Sequence, residues 1–99
     1  RIRLRVEKAR KRQLLRFSKL GIRGVYANAD LNQEQLKKSL YLSTEGRSLL
    51  GSVIEKLGIS ARGYFRLLKV SRTIADIEGS EDVKKSHIVE AISYRIVTK

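Results

Sequence analysis

Ninety-nine residues suffice for one modest hydrophobic core and are too few to hold a nucleotide-binding sheet and a helical domain together, so a single domain over 1–99 is expected. Cysteine is absent, which excludes a disulfide framework, a thiolate metal site and a thiol nucleophile here, and no apolar run approaches the ~20 residues of a bilayer span. The formal charge of +12 sits at one end: residues 1–24 carry ten Arg or Lys against Glu7 alone, a net +9, whereas residues 25–99 carry twelve against nine acids, a net +3.

Proline is also absent, and apolar residues recur at helical spacing, so the expected fold is all-α, a small bundle of about five helices joined by glycine and polar turns. The first helix is expected over residues 2–18. Ile2, Val6, Ala9 and Phe17 fall on one stripe interrupted by Gln13, with Arg1, Arg5, Lys8, Arg12, Arg16 and Lys19 along its flank. The alternation from Arg1 to Val6 also fits a short strand, because period two and period 3.6 barely separate over six residues. Residues 19–31 carry Gly21, Gly24, Asn28 and Asp30 and read as a loop.

Asn32 and Gln35 form a capping-box-like pair that opens a short helix running to Leu40. Ser43 or Thr44 starts a third helix with Leu49, Leu50, Val53, Ile54 and Leu57 on its apolar face, ended by Gly58. Ser60 caps the fourth and longest helix, residues 61–78. On it Tyr64, Leu67, Leu68, Ser71, Ile74 and Ala75 cluster on one side, and Arg62, Arg66, Lys69, Thr73 and Asp76 on the other. After Gly79 a polar turn with Glu81 and Asp82 leads to Ser86, the expected cap of a last helix carrying Ile88, Val89, Ala91, Ile92 and Tyr94.

Several chemistries find no residues to carry them. No Gly-x-x-x-x-Gly-Lys-Ser/Thr segment occurs, so the backbone cradle and lysine of P-loop enzymes are missing and these residues are not expected to act as an enzyme alone. His87, the only histidine, has no second ligand at metal spacing. A capping or surface role is expected of it, and no metal site. Arg72 and Asp76 stand at i, i+4 with opposite charge and read as a local ion pair bracing the fourth helix.

Arg62 falls near the second position of the fourth helix, where the positive end of the macrodipole mildly disfavours a cation. A docked anion would offset that cost, meeting free backbone N–H groups and a guanidinium able to grip a phosphate in bidentate fashion, with Arg66 one turn on extending the surface. The plainer reading is that both arginines are solvated or weakly paired at the surface. The basic first helix has two readings as well: a solvated face, or Arg5, Lys8, Arg12, Arg16 and Lys19 following a phosphate backbone with Tyr26 and Tyr41 stacking on bases.

The stretch Gly58-Ile59-Ser60-Ala61-Arg62-Gly63-Tyr64-Phe65-Arg66, continued by Arg72-Thr73-Ile74-Ala75-Asp76 and closed by Glu90-Ala91-Ile92-Ser93-Tyr94-Arg95, resembles the C-terminal signature of magnesium-chelatase-like, competence-type AAA+ ATPases. The pattern Ile2-Arg3, Arg5-Val6, Ala9-Arg10, Gln13 and Arg16-Phe17, and the loop from Asn28 to Asn32, fit the same family, so the resemblance spans nearly the whole chain. It implies a helical lid packed over ATP on a preceding P-loop ATPase domain of the same chain, which would bind the magnesium ion. It further implies that Arg62 is the sensor-two arginine reaching the ATP phosphates, with Arg66 beside it, and that the parent forms a homo-oligomeric ring acting on DNA. Phe65 departs from a frequent histidine and Ser71 from a usual alanine.

With no methionine present, the chain is expected to be a piece of a longer protein, cytoplasmic and not bound to membrane. Two alternatives to the lid remain: an autonomous basic helical module that binds nucleic acid, and a helical adaptor whose charge serves solubility and partner steering.

Overall fold

The computed structural model describes residues 2–94, with side chains from Leu4 onward; the Ile2 side chain, expected on the apolar stripe, and Arg95 of the family-like signature lie outside the described residues. Five helices follow one another: α1 (Ile2–Leu20), α2 (Gln33–Leu40), α3 (Thr44–Leu57), α4 (Ala61–Glu78) and α5 (Lys85–Ser93), with a 3-10 turn at Asn28–Asp30 inside the loop between α1 and α2. The amino-terminal alternation is therefore helical. Once α1 continues over 19 residues, its one-sided contact stripe repeats every three to four positions rather than every two.

Local signals set most of the boundaries. Asn32 accepts from the Gln35 backbone N–H at 2.8 Å while the Gln35 side chain accepts from the Asn32 N–H at 3.1 Å, a reciprocal capping box at the start of α2. Ser43 Oγ accepts from Gly46 N at 3.0 Å and Ser60 Oγ from Gly63 N at 3.1 Å, opening α3 and α4 in the same way. Gly58 and Gly79 end those helices in the left-handed region, at φ 59° and 88°. Tyr41 ends α2 in that region too, at φ 47°, a conformation that costs a non-glycine residue about 1–2 kcal/mol. The segment around it is held by Val83, whose N–H donates to the Tyr41 carbonyl at 2.9 Å and whose carbonyl accepts from Ser43 N at 3.0 Å.

The last helix corrects the expected cap. Lys84, not Ser86, is the N-cap residue, and α5 begins at Lys85. The cap partner is His87: its Nδ1 accepts from the Lys84 backbone N–H at 2.9 Å, doing what a Glu or Gln three residues into a helix usually does. His87 is buried, so its role is capping within the fold rather than exposure at the surface, and its Nε2 meets the Glu78 carboxylate at the end of α4.

That contact holds the Glu78 carboxyl below its ordinary value, chiefly through the hydrogen bond with His87. A carboxylate with a lowered folded-state pKa stabilises the fold above the ordinary Glu range, near pH 4.3, and that contribution disappears as pH falls through the lowered value. The expected result is that Glu78→Gln narrows the difference in unfolding free energy between about pH 6 and pH 3, read by urea denaturation. Because Glu78 is exposed the change is small. An identical pH profile in the variant would contradict it.

α4 is the central element. It packs against α1, α2, α5 and the 3-10 turn, while α3 packs on α5. The core joins Phe17 of α1, Leu36 and Leu40 of α2, Leu50 and Val53 of α3, Leu67, Leu68 and Ala75 of α4, and Ile88 and Ala91 of α5. Gly46 lets α3 approach the turn before α5 closely: a Cβ there would stand 3.1 Å from the Val83 carbonyl and 3.2 Å from Ile88 Cδ1. Ser71, where the family resemblance leads one to expect alanine, is fully buried and satisfied by donating to the Leu67 carbonyl at 2.8 Å.

The expected Arg72–Asp76 pair forms, and it lies at the polar centre of the fold. Asp76 and Arg72 are both fully buried, and Asp76 does not lie on the free side of α4 with Arg62 and Arg66. Asp76 Oδ1 accepts from Arg72 Nη2 at 3.0 Å and from Arg16 Nη2, while Oδ2 accepts from Asn28 Nδ2 at 2.9 Å and Arg16 Nη1 at 3.3 Å. One carboxylate thus ties α4 to α1 and to the loop between α1 and α2. Arg72 also donates to the carbonyls of Ser39 and Leu40 at 3.2 and 3.1 Å, where the negative end of the α2 macrodipole lies, and to those of Ser80 and Glu81 at 2.9 Å each. Burial pushes the Arg72 guanidinium below its ordinary value, opposed mainly by Asp76, and the group remains a cation.

Candidate functional site

The capped start of α4 sets Arg62 at the second helical position, exposed to solvent. Ser60 Oγ takes the Gly63 N–H, and the amides of Ala61 and Arg62, in the first turn, have no intrahelical acceptor. Arg66 lies one turn further along the same exposed face, and Lys69, half-buried, one turn beyond that. None of the ion pairs found among the described residues involves Arg62, Arg66 or Lys69.

These cations border a concavity of about 900 Å³ between the start of α4 and the start of α2. Asn32 and Gln33 line it together with Leu31, Leu36 and Phe65, and among the described residues no carboxylate belongs to the lining. Two helix N-termini therefore open on one hollow that also holds two guanidiniums and an ammonium. Each N-terminus carries a partial positive charge of roughly half a unit, so the field there favours an anion. Lys69 Nζ donates to the Ala29 carbonyl at 3.0 Å, bracing the turn at Asn28–Asp30 against α4. Phe65, the second departure from the family pattern, meets Tyr64 edge to face with ring centroids 5.3 Å apart.

The basic residues of α1 are divided by the fold. Arg5, Lys8 and Lys19 are exposed. Arg12 is exposed too but reaches back over the end of α4, donating to the Asp76 carbonyl at 3.4 Å. Arg16 turns inward onto Asp76 with only 9% of its side chain accessible, so it does not stand with the other four on an open flank. Tyr26 is exposed, whereas Tyr41 is partly covered with the Arg72 guanidinium 6.0 Å from its ring centroid. Val6, expected on the contact stripe of α1, is exposed at 39%, and Gln13, read as an interruption, is buried with its Oε1 accepting from Asn28 N at 3.4 Å.

Asn28 carries more of the fold than its type announced. Its Nδ2 donates to Thr73 Oγ1 at 3.0 Å as well as to Asp76. A loop asparagine reads as a turn residue in sequence, and nothing local marks it as the partner of a carboxylate 48 positions away.

The family described as magnesium chelatase, subunit ChlI C-terminal, matches residues 1–95. Among curated proteins the chain is similar to competence protein ComM of Haemophilus influenzae, 36% identical over 98 residues, and to uncharacterized proteins named YifB from Escherichia coli and Salmonella typhimurium, 38% and 37% identical. Each alignment covers 99% of this chain and 18% of the relative, so the chain spans less than a fifth of the length of the proteins it matches.

Proposed function

The chain belongs to the magnesium chelatase subunit ChlI C-terminal family, and on that premise we propose that it is the C-terminal helical lid of an AAA+ ATPase, with Arg62 contacting the phosphates of bound ATP. The observation that carries this reading is the hollow at the start of α4, where Arg62, Arg66 and two helix N-termini converge with no carboxylate in the lining. ATP and its magnesium ion would be held mainly by a preceding P-loop domain of the same chain. Arg62 would supply charge-assisted hydrogen bonds from the lid side, and Arg66 would add to the field.

Such a contact does mechanical work only through a difference in affinity. If Arg62 binds the triphosphate state more tightly than the product state, hydrolysis shifts the lid toward its released position by that difference and no more. In a ring of identical subunits the movement would pass to a neighbour across the lid surface and so couple ATP turnover to work on DNA. The alternative of an autonomous nucleic-acid-binding module has less support, since Arg16 is engaged inside the fold and three exposed leucines interleave with the remaining cations of α1.

The test is Arg62→Ala in the full-length parent. ATP affinity is expected to stay nearly unchanged while the hydrolysis rate falls about 10- to 100-fold, the loss of one or two hydrogen bonds to a charged group. Arg66→Ala is expected to have a smaller effect in the same direction. A wild-type ATPase rate in Arg62→Ala would remove the phosphate contact from the reading.

A further inference from the structure

His87 is the only histidine of the chain, and the fold uses both of its ring nitrogens. It is buried at the third position of α5, 1% exposed. Its Nδ1 lies 2.9 Å from the Lys84 backbone nitrogen, and an amide N–H can only donate, so Nδ1 must carry a lone pair. The ring hydrogen therefore sits on Nε2, which donates to the Glu78 carboxylate at the end of α4. The cap on α5 thus requires a neutral imidazole in one tautomer. A second proton, at Nδ1, would set donor against donor and leave the Lys84 amide without its acceptor, at a helix end whose macrodipole already opposes a cation.

We propose that His87 is a proton-sensitive latch on the start of α5, closed when the ring is neutral and released when Nδ1 takes up a proton. Glu78 supplies the second state: once the cap is broken, its carboxylate pairs with the imidazolium through Nε2, so the released form has a partner as well as the capped one. The other cations whose charge reaches that carboxylate are Lys84 and Arg5 of α1. α3, the other helix packed on α5, turns Gly46, Leu50 and Val53 inward, and its Glu45, Arg47, Glu55 and Lys56 are exposed, as are Glu81, Asp82, Lys85 and Glu90 around α5. Glu78 is therefore the only charged side chain bonded to the ring among the described residues. Release would be felt beyond α5. The turn before Lys84 holds Val83, whose two backbone groups bind Tyr41 and Ser43, and it gives the carbonyls of Ser80 and Glu81 to Arg72. Losing the cap frees one end of that turn and loosens its grip on the junction between α2 and α3.

The 99-residue chain closes its core within its own five helices and contains one histidine, so nitrogen NMR of the imidazole reads this ring alone. The experiment runs from about pH 8 to about pH 5, across the ordinary histidine range, with backbone amide shifts followed in parallel. At the upper end the expected result is the Nε2–H tautomer with Nδ1 unprotonated. On acidification Nδ1 takes up a proton, and the amides of Lys84, Val83 and Ser43 shift with the same midpoint. His87→Gln keeps a capping acceptor at the same position without a titrating ring, so it should retain the helical signal in circular dichroism and abolish the amide transition. Glu78→Gln removes a charge that favours the imidazolium and should move the midpoint down by about 0.2–0.7 of a pH unit, the effect of an exposed carboxylate. An Nδ1–H tautomer at the upper end, an imidazole that stays neutral throughout, a protonation that leaves the Lys84 and Ser43 amides unmoved, or the same amide transition in His87→Gln would each overturn the proposal. All of these readouts are separate from ATP hydrolysis, so the outcome is independent of the role given to Arg62.

Discussion

Asp76→Ala is expected to destabilise the domain by about 3–5 kcal/mol, the cost of removing one partner from a buried ionic cluster. The carboxylate stands between two guanidiniums, Arg16 at 9% accessibility and Arg72 at none. Without it Arg72 keeps its carbonyl partners at Ser39, Leu40, Ser80 and Glu81 but loses its counterion, and Arg16 and Asn28 lose their main acceptor. Two cations would then face each other across a dry interior. For a domain of this size each kcal/mol shifts the thermal midpoint by about 4–8 °C, so the midpoint should drop by at least about 12 °C. Thermal and urea unfolding measure this directly. Asp76→Asn, which keeps the shape and one acceptor but not the charge, is expected to fall between the wild type and alanine. A loss below about 1 kcal/mol in Asp76→Ala would mean that the cluster contributes geometry and little energy.

Leu36→Ala is expected to cost about 2–5 kcal/mol, from lost burial together with the cavity left behind. Leu36 is fully buried in the core and also belongs to the lining of the hollow beside Arg62. The same truncation should therefore loosen the support on which α2 and the start of α4 face each other. If the parent is the ATPase proposed above, its rate is expected to fall even at temperatures where the variant stays folded. Leu57→Ala is the matched control, because Leu57 is 55% exposed and its truncation should stay within about 0.5 kcal/mol of the wild type. Equal losses for the two leucines would contradict the placement of Leu36 in the core.

The elements of this fold were legible from short-range chemistry. Ser60 and Gly79 bracket α4 over the residues expected, 61–78, and the Asn32 with Gln35 pair opens α2 as expected. Capping involves groups three or four residues apart, and such distances are fixed within the helix itself. The exception is α5, where Lys84 rather than Ser86 is the N-cap and a histidine at the third helical position supplies the capping acceptor. The exposed position of Arg62 at the second residue of α4 follows from the same local logic, since the cap fixes where the first turn begins.

The placement of charge was not legible in that way. Asp76, Arg72 and Arg16 belong to residue types that ordinarily face water, and helical spacing put Asp76 on the free side of α4 and Arg16 on the flank of α1. They are inside because residues 33 to 60 positions apart in the chain converge there, and most of their buried polar atoms, Asn28 Oδ1 and Arg72 Nε excepted, find partners that offset desolvation. A one-dimensional pattern carries period and local sign but no information on which helix will lie across which.

By itself, then, the sequence determined an all-helical domain, the starts of α2, α3 and α4, the concentration of charge in α1, and a family resemblance that the match over residues 1–95 bears out. The tertiary structure decided which of the charged residues are structural and which are free to act. It withdrew Arg16, Arg72 and Asp76 into the interior, and it brought the starts of α2 and α4 together around Arg62 and Arg66. The physical reason is one of range. Caps and helical periods are settled between neighbours in the chain, whereas the fate of a charge depends on the distant groups that replace its water.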